Sequence, residues 1–323
     1  MNFKFLNRFA SLELCMSLKS LNCFKSWKSL KTSKSFLFIS MLSGTLLLLG
    51  GCPKSSSTTP HTSNNQNKNG TSGETKEGNI GAETLEIPDK LEELIVFAKK
   101  HSQNVDSFPV QKAALDAVKK GLEKDQKNTE LLLVGMKTAI RLGVLSETHA
   151  KMGEFGELAR KWGVVGMAEA ANRVEFPYYR AMGMAMKLQA QKKGALDKLP
   201  KVVELAQKAI SLDEKYDYAG PLRFLGALYV QAPEMGSIGD KDKGITILEK
   251  AVAHFPEYPI NQFFLGEAYF KDEQYDKAKA MLKKVQNAER DAPWSPRDRD
   301  WYQKKAKSYM RLIERKEKQG FGV

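Results

Sequence analysis

Leu225-Gly226-Ala227-Leu228-Tyr229 recurs forty residues later as Leu265-Gly266-Glu267-Ala268-Tyr269. The partner segments recur at a shorter interval: Gly244 corresponds to Ala278, Leu248 to Leu282 and Ala251 to Val285, each thirty-four residues on. All four segments carry apolar residues at helical spacing. A two-helix unit of 34 residues is therefore repeated, and its earlier copy holds six extra residues between the helices. Gly266 and Ala278 are small enough for two helix backbones to approach closely, while Leu265, Tyr269 and Leu282 fill the space beside them. Pro256 falls between the copies and stops the helix before it.

A weaker third copy lies upstream. Met182-Gly183 and Met186 stand where Leu225-Gly226 and Tyr229 stand, and Val202, Ala206 and Ala209 match Gly244, Leu248 and Ala251. Val134-Gly135 opens what reads as a further unit. Leu91, Leu94, Ile95 and Ala98 form a stripe after Pro88-Asp89, and helices are expected near 109–124, 129–143, 154–174, 178–193, 198–212, 219–231, 242–254, 259–271, 274–288 and 296–318. No segment reads clearly as a strand. Helices at this density, joined by short polar turns, predict an all-α array of hairpins. Leu-Gly-x-x-Tyr on one helix and Ala-x-x-x-Leu-x-x-Ala/Val on the next resembles the tetratricopeptide (TPR) repeat, which implies a helical-hairpin solenoid over 87–323. The clearest repeats are 219–258 and 259–292. A stack needs at least three units, so the upstream helices are expected to complete it.

The first 86 residues have a different character. Lysines punctuate residues 1–34, and Ser35 to Pro53 then carries no charge. A basic lead, a short apolar core and small residues describe a secretory signal over 1–51. The core, 36–49, is shorter than the ~20 residues that a membrane span needs. Leu49-Gly50-Gly51-Cys52 resembles the bacterial lipobox, which implies cleavage before Cys52 and acylation of its thiol by a palmitate-like chain. Met16 is an alternative start that keeps a basic lead. From Pro53 to Glu86 the chain is rich in Ser, Thr, Asn and Gly, with too little apolar surface to fold. With Cys52 it makes a tether, 52–86, with an r.m.s. reach of about 30–35 Å.

The formal charge of +13 describes the uncut chain. Residues 1–51 hold seven Lys/Arg and one acid, so 44 basic and 37 acidic residues remain, or +7. That gives no strong argument for nucleic acid. Cys15 and Cys23 lie within the signal, so only Cys52 is left and neither a disulfide framework nor a thiolate metal site can be built.

The insert Gln231–Lys243, QAPEMGSIGDKDK, is the strongest candidate for a functional loop, because long connections within helical arrays tend to carry function. Met235 at its centre is a candidate contact, and Asp240 or Asp242 is expected to cap the next helix. Asp240-Lys241-Asp242-Lys243-Gly244 lacks the ligands of a calcium loop. Met182, Met184 and Met186, near Tyr178 and Tyr179, make an adaptable apolar patch, and with Phe176, Phe224 and Tyr229 they could line a ligand cavity. Their spacing of two prevents all three from sharing one helix face. The final helix opens at Ser295-Pro296, carries an apolar stripe of Tyr302, Ala306, Tyr309 and Ile313, and has nine basic and four acidic residues between Arg297 and Lys318. That excess reads either as a solvated face or as a docking surface for anionic head groups or an acidic partner. His101, His149 and His254 are isolated, and no nucleophile elbow, phosphate loop or metal spacing occurs, so no enzyme, cofactor or metal is expected.

The lipobox, the polar tether and the segment AGPLRFLGALYVQAP through FPEYPINQFFLGEAYF together resemble a bacterial TPR lipoprotein. The long inter-helix insert and the overall plan are more remotely similar to the T-component lipoproteins of TRAP transporters. That resemblance implies a periplasmic partner such as a solute-binding protein, and a small hydrophobic ligand. The expected function is therefore a membrane-tethered protein-interaction scaffold in the cell envelope. The alternative is a periplasmic carrier holding a hydrophobic ligand inside the superhelix.

Overall fold

Among the described residues, five helix starts are fixed by side chains that accept a hydrogen bond from the backbone N–H three residues on: Ser107, Asn128, Thr148, Asp240 and Ser295. Asp240 thus fills the capping role expected of it, at 2.9 Å from Lys243 N. The computed structural model describes residues 85–191 and 194–320. The signal, the lipobox with Cys52, and the tether up to Thr84 lie outside the described residues.

The helices are α1 Leu91–Ser102, α2 Phe108–Lys124, α3 Thr129–Leu145, α4 His149–Glu169, α5 Glu175–Ala190, α6 Leu199–Asp213, α7 Tyr216–Gln231, α8 Lys241–His254, α9 Pro259–Lys271, α10 Tyr275–Asn287 and α11 Pro296–Gly320. A single 3-10 turn, Leu196–Lys198, precedes α6, and no strand occurs among the described residues. The helix expected at 154–174 instead runs His149–Glu169, because Thr148 caps it five residues earlier.

Each odd-numbered helix packs against the even-numbered one that follows, making hairpins α1/α2, α3/α4, α5/α6, α7/α8 and α9/α10. Odd helices also contact the next odd helix, α1 on α3, α3 on α5, α7 on α9 and α9 on α11. Between α5 and α7 the bridge is aromatic: Tyr178 stands edge-on to Phe224 at 6.5 Å. One apolar cluster runs from Leu94 to Ile313 through every hairpin. Each large side chain in it contributes about 1.5–3 kcal/mol of burial free energy, and this offsets the entropy lost in ordering the stack.

Small residues set the distance between packed helices, at the α4–α5 contact between two hairpins and at the α7–α8 contact within one. A Cβ on Gly183 would stand 2.7 Å from the carbonyl oxygen of Gly156, and one on Gly226 would stand 2.9 Å from that of Gly244. Backbones therefore touch at these two crossings. Helix α11 closes the stack by burying Tyr302, Ala306 and Ile313 of its expected stripe.

Candidate functional site

The helical stretch of α7 does not begin cleanly. Asp217, Tyr218 and Ala219 all have left-handed backbone, with φ of 51°, 55° and 60°, and regular helix starts only at Gly220-Pro221. Left-handed backbone costs an L-residue roughly 1–2 kcal/mol, so three in succession need external support. Arg223, fully buried, supplies it. Its Nη1 donates to the Tyr218 carbonyl at 3.0 Å and to Asn261 Oδ1 at 2.7 Å, and its Nη2 donates to the Asp217 carbonyl at 3.3 Å. Asn261 Nδ2 donates in turn to the Tyr218 carbonyl at 3.1 Å. Tyr178 OH donates to Asp217 Oδ2 at 3.2 Å, which fixes the carboxylate from the α5 side.

That strained turn forms part of the wall of a cavity of ≈ 580 Å³. The α1–α2 connection contributes Gln103 and Val105, α3 contributes Leu133, Val134, Lys137 and Arg141, α5 contributes Tyr179, and α7 contributes Tyr216 and Asp217. The volume lies within the ~300–1,000 Å³ typical of small-molecule sites. Tyr179 and Tyr216 share a hydrogen bond between their hydroxyls at 3.0 Å. Burial holds the phenols of Tyr178, Tyr179 and Tyr216 above their usual range, so they stay protonated. Burial lowers the pKa of the Lys137 ammonium, while Glu175 and Asp217 pull it back up and Arg173 adds to the lowering.

At the cavity's other edge Arg141 joins the two ends of the array. Its Nη2 pairs with Asp106 at 2.6 Å and its Nη1 with Asp298 at 3.4 Å. Asp106 belongs to the α1–α2 connection and Asp298 to the first turn of α11. Ser295 Oγ donates to Asp298 Oδ2 at 2.6 Å and accepts from Asp298 N at 3.2 Å, so the cap of α11 and this clasp are one network.

The side chains singled out in the sequence are distributed differently from one another. Tyr179 lines the cavity, whereas Met182, Met186, Phe224 and Tyr229 are buried in the packing and Met184 is half-buried. Met235 is 92% exposed at the tip of the insert. The insert folds back on α7, with Asp240 N donating to the Tyr229 carbonyl at 3.1 Å and Lys243 lying 4.4 Å from the Tyr229 ring centroid. Lys137, Arg141, Asp217 and Arg223 were not singled out. Three of them carry a sequence signal, a charge inside an otherwise apolar helix: Lys137 and Arg141 in Leu131–Leu145, and Arg223 in Pro221–Val230, whereas Asp217 follows the charged Glu214 and Lys215 and has none. Among the described residues no cluster of His, Cys, Asp and Glu could hold a metal ion, and no helix is long and apolar enough to cross a membrane.

Residues 114–298 match the family model of the TRAP transporter T-component. No curated protein matches the chain. A solved thermophilic TPR protein of Thermus thermophilus is similar at 17% identity with a TM-score of 0.51, over 67% of this chain and 98% of that one. A crystal structure of a MamA protein aligns at 22% identity with a TM-score of 0.42, over 64% and 98% of the two chains. The Thermus likeness shows the fold: this is a TPR-like array.

Proposed function

The chain belongs to the family of TRAP transporter T-components, and we propose that it acts as a membrane-tethered TPR scaffold for a periplasmic solute-binding protein. The observation that carries this reading is the family match over an array built wholly of helical hairpins, an architecture suited to holding another protein. Acylation at Cys52, after cleavage at Leu49-Gly50-Gly51, tethers the body to the envelope through the polar segment 52–86. The insert presents Met235 to the partner, and its hydrogen bonds to α7 keep the tip in place without covering it. The reading assigns the chain no reaction of its own.

Two measurements test it. Fatty-acid labelling in the producing cell marks the native chain and leaves Cys52→Ser bare. A photo-crosslinking side chain at position 235 joins the protein to a solute-binding protein in the same cells. Equal labelling of both forms overturns the tether, and adducts lacking any solute-binding protein overturn the scaffold.

A second reading is a carrier for a small ligand. It draws on the ≈ 580 Å³ cavity and its apolar residues Val105, Leu133 and Val134.

A further inference from the structure

The charges around the cavity are unequally matched. Lys99 pairs with Glu130 at 2.6 Å, Arg141 pairs with Asp106 and Asp298, and Asp217 is engaged by Arg223 and Tyr178. Lys137 is different: no carboxylate among the described residues comes within ion-pair distance of its ammonium. Its ammonium lies 5.6 Å from the centroid of the Tyr179 ring. Glu175 and Asp217 act on it only from longer range, and Glu175 is already paired with Arg173 at 2.9 Å.

A half-buried ammonium held beside valine and leucine has lost hydration without gaining a counter-charge. The fold retains that cost at the wall of an open cavity, where an incoming anion can offset it. A second donor stands nearby. When one hydroxyl of the Tyr179–Tyr216 pair donates to the other, the acceptor's own proton is left available. Asp217 on the same wall disfavours a second negative charge on the ligand.

We propose that this cavity binds a small organic monocarboxylate, with its carboxylate paired to Lys137 and its hydrocarbon part against Val105, Leu133 and Val134. The inference rests on the carrier reading and narrows its ligand from any apolar molecule to an anion with an apolar body.

The test is calorimetric titration of the full chain at neutral pH with hexanoate, 1-hexanol and hexylamine, three ligands of one chain length. Hexanoate is expected to bind at least tenfold more tightly than either of the others. Lys137→Met is expected to lose at least tenfold for hexanoate while keeping its affinity for hexanol, and Lys137→Arg to restore binding. Lys119→Met, an exposed lysine on α2, serves as the charge control and leaves hexanoate affinity unchanged. Removing a half-buried charge does not threaten folding, and a thermal melt of the Met variant at or above the native one verifies this. Hexanol binding as tightly as hexanoate, or undiminished hexanoate affinity in Lys137→Met, overturns the inference and leaves the carrier reading standing. Failure of all three ligands to bind overturns both.

Discussion

Arg223 Nη1 donates to the carbonyl oxygen of Tyr218 at 3.0 Å, and this contact holds shut a turn whose three consecutive residues are all left-handed. The same guanidinium reaches Asn261 and the Asp217 carbonyl, so one side chain ties the start of α7 to α9. Arg223→Met is expected to destabilise the protein by about 3–5 kcal/mol, because it removes the donor shared by the Tyr218 and Asp217 carbonyls and Asn261 Oδ1 around a strained backbone. Arg223→Lys should recover little, since a single ammonium cannot span the three acceptors that the planar fork reaches. Urea unfolding followed by far-UV circular dichroism reads both. A Met variant within about 1 kcal/mol of the native protein would contradict this role.

The two best repeats make a graded prediction for helix crossings. A Cβ on Gly244 would lie 2.8 Å from the Gly226 carbonyl oxygen and 3.0 Å from Val230 N, both backbone atoms that cannot swing aside. A Cβ on Gly266 would meet the Leu282 side chain at 3.0 Å, and Leu282 can adjust. Replacing helical glycine by alanine gains up to about 1 kcal/mol of propensity, against ~1–3 kcal/mol for overpacking. Gly266→Ala should therefore be close to neutral and Gly244→Ala clearly destabilising. Equal unfolding midpoints for the two variants would refute the distinction.

These contrasts show what the sequence discloses. The repeat was legible because small and large residues recur at fixed offsets, Gly226 with Gly266 and Leu248 with Leu282, and each pair has a local packing reason. The start of α7 was not legible as a left-handed turn, for Asp217, Tyr218 and Ala219 include no glycine to announce one. Besides Arg223, that turn is held by Asn261 and Tyr178, about forty residues away on either side. The cavity was hidden for the same reason. Lys137, Tyr179 and Asp217 become neighbours only after three hairpins have stacked, and no spacing in the chain records that. Periodicity did identify Met182 and Met186 as apolar face residues, but it could not say whether that face met a neighbouring helix or a hollow.

A stabilising substitution follows from the end of α9. Glu273 has φ 59° and closes the helix in the left-handed conformation, with Gln274 N donating to the Tyr269 carbonyl at 2.9 Å and Glu273 N to that of Phe270 at 3.2 Å. This is the Schellman arrangement, in which glycine is the preferred residue. Glu273 is exposed, so its side chain has little packing to lose. Glu273→Gly should add about 0.5–1 kcal/mol by relieving the Cβ clash. Differential scanning calorimetry should show a higher Tm, and a lower one would mean that the glutamate contributes something the geometry does not reveal.

Part of the acid sensitivity is expected to arise at the α4–α5 crossing. Glu157 accepts from Arg160 Nε and Nη2, both at 2.7 Å, and pairs with Lys187 Nζ at 2.7 Å, one residue along from the Gly156–Gly183 contact. The hydrogen bonds from Arg160, followed by those from Lys187 and the attraction of both charges, lower its pKa from 4.5 to about 2, against a smaller desolvation cost. A carboxylate whose folded pKa is depressed binds its proton more readily when the chain is unfolded. The stability it contributes is therefore complete above its unfolded value near 4.5 and is lost as pH falls from there towards 2. Glu157→Gln should be less stable than the native protein at pH 7, and its urea midpoint should fall less steeply between pH 4.5 and pH 2. Parallel pH profiles for the two proteins would place the acid-labile contact elsewhere in the stack.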